Sequence, residues 1–180
     1  MSLEQKINNL ETDLHIMGTL VLDSLVSAVR ALEDKDTAKA TEVMDKDDEI
    51  DDAYMKIDQD WFELMATEQP VASDLRLSTS ILQASLHLER LGDLSVYLGK
   101  TTHEIHDLPI PESLHKIVVE MGDMVIDMAS SALESLKNRD AELALSTARK
   151  DELINSLYNK MLNEVPNISG NKDLYNGLFR

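Results

Sequence analysis

Residues 17–54 align with residues 121–158 without a gap at a fixed offset of 104, and 13 of the 38 aligned positions are identical. Roughly two or three identities would be expected by chance. The recurring residues are Met17/Met121, Gly18/Gly122, Val21/Val125, Asp23/Asp127, Ser27/Ser131, Ala28/Ala132, Leu32/Leu136, Asp36/Asp140, Ala40/Ala144, Lys46/Lys150, Asp47/Asp151, Ile50/Ile154 and Tyr54/Tyr158. Apolar stripe, turn and cap positions recur together, so a whole supersecondary unit is duplicated. A chain built this way must bury the same stripe twice.

The repeated unit is helical. Gly and Pro total ten of 180 residues, Leu, Met, Ala, Glu, Asp and Lys dominate, and no run alternates apolar and polar as a strand would. A first helix is expected over about Leu3–Leu32. An acidic turn follows, with Asp36 as N-cap of a second helix running to about Thr67. Gln69-Pro70 breaks the pattern, and a third helix runs from about Ala72 to about His106. DLPIP (107–111) is a stiff linker with Pro111 at the first turn of a fourth helix, which ends near Leu136. Asp140 caps a fifth helix running to about Val165, where Pro166 ends it, and KDLYNGLFR (172–180) reads as the start of a sixth. The reading is all-α: a first three-helix unit at 1–107, a linker at 107–111, and a second unit at 112–180 that lacks most of its third helix. The amphipathic hairpin of that second unit needs a cover, and a homodimer is expected to provide it.

Charge and composition remove several function classes. With 34 acids against 17 bases, the net charge of −17 repels nucleic acid and anionic lipid at long range and attracts cations and basic protein surfaces. There is no cysteine, which removes disulfides, thiolate zinc sites and cysteine nucleophiles. The N-terminal MSLEQKINNLETDL has no apolar signal region, and no later stretch reads as an apolar run of about 20 residues, so a cytoplasmic protein without direct membrane insertion is expected. No nucleophile–base–orienter set and no phosphate-cradling glycine loop occurs, so no enzyme activity is expected.

Most acids of the second helix lie opposite its core stripe (Val43, Ile50, Tyr54, Ile57, Trp61, Leu64) and form a solvated face. Asp47, Asp51 and Asp58 differ, lying at the stripe's edge; Asp47 and Asp51 are four residues apart, where like charges repel. The third helix shows one apolar stripe through Leu77, Ile81, Ala84, Leu88 and Leu91 and another through Leu75, Leu82, Leu86 and Val96; Glu89 and Asp93 interrupt the second. Acids on a seam are costly when buried unpaired. Carboxylates on facing helices can build a metal site inside a bundle, and an all-oxygen set suits Mg²⁺, Mn²⁺ or iron. Ion pairing is the alternative: Glu89 with Arg90 of a neighbouring chain, or Asp93 with Arg76 or a lysine.

EQPVASDLR (68–76), LERLGD (88–93) and D-x-x-I-D-x-x-Y at 47–54, together with the duplicated unit, resemble the PhoU family over about residues 5–165. The resemblance implies two similar three-helix bundles and acid-motif pairs that bind iron, zinc, manganese or magnesium. It makes Asp47, Asp51, Glu89 and Asp93 the first-bundle ligands. It also implies a cytoplasmic negative regulator that couples the phosphate-uptake ABC transporter to a sensor histidine kinase. The second unit departs from the pattern, because Asn155 stands where Asp51 predicts an acid and no second E-R-x-G-D occurs; a second metal site is expected to be missing or crippled. A carboxylate-bridged di-iron (ferritin-like) protein is a rival reading, as is a metal-free helical adapter. The di-iron reading needs Glu-x-x-His on two helices, and only Glu112…His115 is present.

Overall fold

The structure is a computed structural model and describes residues 1–168. Among the described residues seven helices follow in order: α1 Leu3–Asp34, α2 Thr37–Asp45, α3 Asp47–Glu68, α4 Ala72–Ile105, α5 Glu112–Asn138, α6 Ala141–Arg149 and α7 Asp151–Ile168. The expected start of a sixth helix, 172–180, lies outside the described residues. Among the described residues there is no strand, and the all-α reading holds.

The caps explain the boundaries. Ser2 and Gln5 form a capping box on α1, with Gln5 N donating to Ser2 Oγ at 3.3 Å and Ser2 N donating to Gln5 Oε1 at 3.0 Å. Asp36 Oδ1 accepts from Lys39 N at 3.0 Å, and its repeat mate Asp140 accepts from Leu143 N at 2.9 Å, as expected of both. Lys35 and Arg139, also 104 apart, both close their helices in the left-handed conformation at φ 54°. The turn is therefore duplicated in its backbone as well as its sequence.

Two expectations fail. The expected second helix is two helices, interrupted at Lys46, and the fifth is likewise interrupted at Lys150. The acids that follow, Asp47-Asp48-Glu49 and Asp151-Glu152, are stabilised at a helix N-terminus by the dipole and gain nothing in a helix middle. The apolar stripe runs on across the break, so periodicity conceals it. Helix α7 also continues past Pro166 to Ile168. Proline lacks the N–H that would donate to the carbonyl four residues back, and the helix runs on for only two residues beyond it.

The first unit packs α1, α3 and α4 around a core of Ile7, Leu10, Leu14, Met17, Val21, Ile50, Ile57, Leu64, Ile81 and Leu88, all buried. By length and composition α1 could cross a membrane, but it is the central helix here, with a stripe from Ile7 to Leu32 buried against its neighbours. On α4 the buried face is made largely of small residues: Ser78, Ser85, Gly92 and Gly99 at seven-residue spacing, with Ser95 and Thr102. Of the second stripe expected on this helix Val96 is buried, but Leu75 and Leu86 are 41% and 36% exposed, so the stripe is not a continuous core seam. Small side chains let α4 lie close to α1 and α2, leaving those leucines outside.

The two units meet through α1 and α5, which run antiparallel about a local two-fold axis. A Cβ on Gly18 would stand 2.9 Å from Leu133 Cδ1, and a Cβ on Gly122, its repeat mate, 2.8 Å from Val29 Cγ2. Val29 and Leu133 are themselves 104 apart, so each glycine receives the mate of the residue received by the other. Arg30 Nη2 to Asp123 Oδ1 at 2.6 Å and Arg139 Nη2 to Glu11 Oε1 at 3.3 Å tie the helices. The two sockets should respond differently to a methyl group. Leu133 can turn aside and alanine gains helix propensity, so Gly18→Ala should be within about 0.5 kcal/mol of neutral. Val29 is held to one rotamer, so Gly122→Ala should cost about 1–2 kcal/mol. Denaturant unfolding of both variants measures the difference.

Candidate metal centre

Helices α3 and α4 bring the four candidate carboxylates to one seam. Asp47 is the first residue of α3 and Asp51 stands one turn on; Glu89 and Asp93 stand one turn apart on α4. Gly92 sets the register between the pairs. A Cβ there would lie 3.1 Å from both Cδ1 and Cγ2 of Ile50. Ile50 is the residue before Asp51, and Gly92 the residue before Asp93, so the close approach brings the two acid pairs to the same level of the two helices. Gly99 fixes the contact about two turns further on, where a Cβ would meet Ala40 O at 3.0 Å. The glycine of LERLGD therefore has a positioning role that the spacing of ligating side chains does not reveal. Its seven-residue spacing from Ser85 and Gly99 was the available signal.

Asp47, Asp51 and Glu89 are half-buried and Asp93 is exposed, so the acids line the edge of the seam rather than its core. Burial raises the Asp47 carboxyl above its ordinary value; Asp51, Asp93 and Asp48 raise it further, and Lys100 opposes them. Glu89 is raised by burial and then by Asp93 and Asp51, with Arg90 opposing and Asp47 adding to the rise. The acids thus feel one another across the two helices. Among the described residues no three His, Asp or Glu side chains are grouped closely enough to hold a metal ion as they stand. The donor set, all carboxylate oxygen, suits a hard cation, while the grouping is open.

The second unit shows what replaces the first pair. Asn155 Nδ2 donates to Asp151 Oδ2 at 2.9 Å, so an amide bonds the acid where two carboxylates repel in the first unit. The residues named for the di-iron reading are engaged elsewhere. Glu112 Oε1 pairs with Lys116 Nζ at 2.5 Å, and His115 Nε2 bonds the Glu33 carbonyl at 2.9 Å. His103 Nε2 lies 3.0 Å from Thr41 Oγ1, and His106 pairs with Asp107.

An acid whose value is raised by folding favours the folded state when protonated. That contribution is lost as pH rises through the raised value, so at neutral pH the repulsion is fully present. Glu89→Gln should therefore raise the Tm of metal-free protein at neutral pH by about 1–2 °C. The gain should vanish as the pH falls through the carboxylate range. Differential scanning calorimetry in EDTA checks both. Asp47 is less suited to this test because the α3 N-terminus also favours its charge.

The family model described as the PhoU domain matches residues 14–102 and 118–176, two segments whose starts are 104 apart, as in the repeat. Curated relatives named phosphate-specific transport system accessory protein PhoU homolog are 32% identical in Pseudomonas putida over 89% of this chain and 62% of theirs. In Clostridium acetobutylicum the identity is 32% over 92% of this chain and 75% of theirs. The chain thus spans less than two thirds of the length of the Pseudomonas putida protein. The crystal structure of PhoU from Pseudomonas aeruginosa superposes with a TM-score of 0.92 at 30% identity, covering 98% of this chain and 86% of that one. The PhoU phosphate transport system regulatory protein from Streptococcus pneumoniae gives 0.87 at 27% identity, covering 98% and 83%. The duplicated helical unit, its three-dimensional match and the two-segment family match together place this chain in the PhoU domain family.

Proposed function

We propose that this chain is an accessory regulator of phosphate-specific transport that works by docking to other proteins, with a cation held between α3 and α4. The observation that carries the cation is the pairing of Asp47 and Asp51 with Glu89 and Asp93 across a seam registered by Gly92 and Ile50. A divalent or trivalent ion (iron, manganese, magnesium or zinc) would offset the repulsion among these acids and fix the relation of the two helices. The role in phosphate transport is supported by the names of the relatives.

The partners in this reading are the phosphate ABC transporter and the sensor histidine kinase of the phosphate response, met from the cytoplasmic side. The charge supports docking by the first unit. Residues 1–111 hold 23 acids against 9 bases, and residues 112–180 hold 11 against 8. A strongly acidic first unit is suited to basic loops of a partner, and the attraction should weaken with salt. The action is binding rather than catalysis.

A metal-free adapter is the second reading, favoured by the open grouping of the acids. Elemental analysis of protein purified without chelator distinguishes the two. Wild type should carry metal, and Asp47→Asn combined with Glu89→Gln should remove it without unfolding the chain. Unchanged metal content in the double variant would refute the site. A wild-type Tm insensitive to both EDTA and Mn²⁺ would support the adapter.

A further inference from the structure

The hairpin of α3 and α4 carries an apolar face beyond the candidate metal centre. On α3, Asp51, Met55, Asp58 and Phe62 follow one another at steps of four, three and four residues, so they share one side of the helix. On α4, Leu75, Leu82, Leu86, Glu89 and Asp93 share one side in the same way. The contact of Ile50 with Gly92 fixes the register of the hairpin. At about 1.5 Å per residue from that contact, Met55 comes level with Leu86 and Phe62 with Leu82.

These side chains are not core. Met55 is 57% exposed and Phe62 61%, in a chain with only two phenylalanines, and Leu75 and Leu86 stand partly open beside them. Val71, one turn before Leu75, is 74% exposed in a sharp turn whose Gln69 and Ala72 hold left-handed backbone at φ 48° and 50°. Large apolar side chains grouped on one side of a hairpin mark contact with another molecule. Two adjacent helices with apolar rows along their shared edge are covered by a third helix laid along them. Charge states its chemistry. Asp58 is half-buried among Met55, Phe62 and the leucines and, among the described residues, makes no ion pair. Asp51, Glu89 and Asp93 close one end of the face. A lysine or arginine of the covering helix would answer these acids, whereas the first unit of a second copy would add 23 acids against 9 bases of its own.

We propose that this face docks a basic amphipathic helix of a partner protein. The apolar side of that helix lies along Leu75, Leu82, Leu86, Met55 and Phe62, and one of its basic side chains pairs with Asp58. The inference rests on the docking reading above and gives it a surface and a partner segment. Asp58 and the leucines lie outside the four candidate ligands, so the docking does not require the cation.

A labelled model peptide of about 18 residues, with leucines at helical spacing, lysines on its other side and no tryptophan, is the probe. Titrated with the full chain in EDTA, its anisotropy should rise and saturate. Docking should also change the emission of Trp61, the single tryptophan, whose ring centroid lies 5.4 Å from that of Phe62. Phe62→Gln with Leu86→Gln, both at exposed positions, should leave the helical circular dichroism unchanged and weaken binding roughly tenfold or more. Asp58→Asn should weaken it several-fold, and Ile16→Gln, on the exposed side of α1, should leave it unchanged. A wild type that does not bind the peptide would overturn the proposal, as would binding that survives the paired glutamine replacements. Binding lost only with Ile16→Gln would also overturn it, moving the contact to another surface while the docking reading itself stands. Self-association that is lost in the paired variant would assign the face to a second copy and overturn it too.

Discussion

The close approach of α4 is the constraint on which the first unit depends. Ser78, Ser85, Gly92 and Gly99 recur every seventh residue and are all buried. A side chain larger than these would push α4 away from α1, α2 and α3. At Gly92 the neighbour is Ile50, a stiff β-branched residue held in the core, and at Gly99 it is the backbone oxygen of Ala40. Neither yields easily. The same contact therefore closes the core and fixes which turn of α4 faces which turn of α3. The alignment of the carboxylates follows from it, so the spacing within each acid pair has meaning only once the glycine has set the register between them.

The duplication then gives an internal comparison. The α1–α5 contact is symmetric down to the exchange of Gly18 with Leu133 for Gly122 with Val29, so the units are joined by the same surface used twice. Where the copies diverge, chemistry diverges. The first keeps Asp47 and Asp51, and the second keeps Asp151 but bonds it to Asn155.

Much of this architecture was legible in the sequence. The repeat, the caps at Asp36 and Asp140, the linker and most helix bounds follow from local rules that tertiary packing does not override. The four candidate acids were found from spacing together with family resemblance, and the structure brings them to one seam. The breaks at Lys46 and Lys150 were hidden, because the apolar period continues through them and only the dipole preference of the following acids marks them. The true buried face of α4 was missed for a related reason. Hydrophobic periodicity weights Leu75 and Leu86 heavily and Ser85 and Gly92 hardly at all, whereas close packing selects for small size. Asp93 was read as lying in a buried seam and is exposed. The opposition of Asp47 by Lys100 links groups on two helices and has no signature along either one.

The central claim is that a cation joins α3 to α4 in the first unit and finds no equivalent in the second. Amide hydrogen exchange of the full chain, resolved by peptide with and without Mn²⁺, addresses it most directly. The account predicts slower exchange around residues 47–51 and 89–93 and no change around 151–155. Exchange that is unaffected by Mn²⁺ at 47–51 and 89–93, or that slows equally around 151–155, would contradict it.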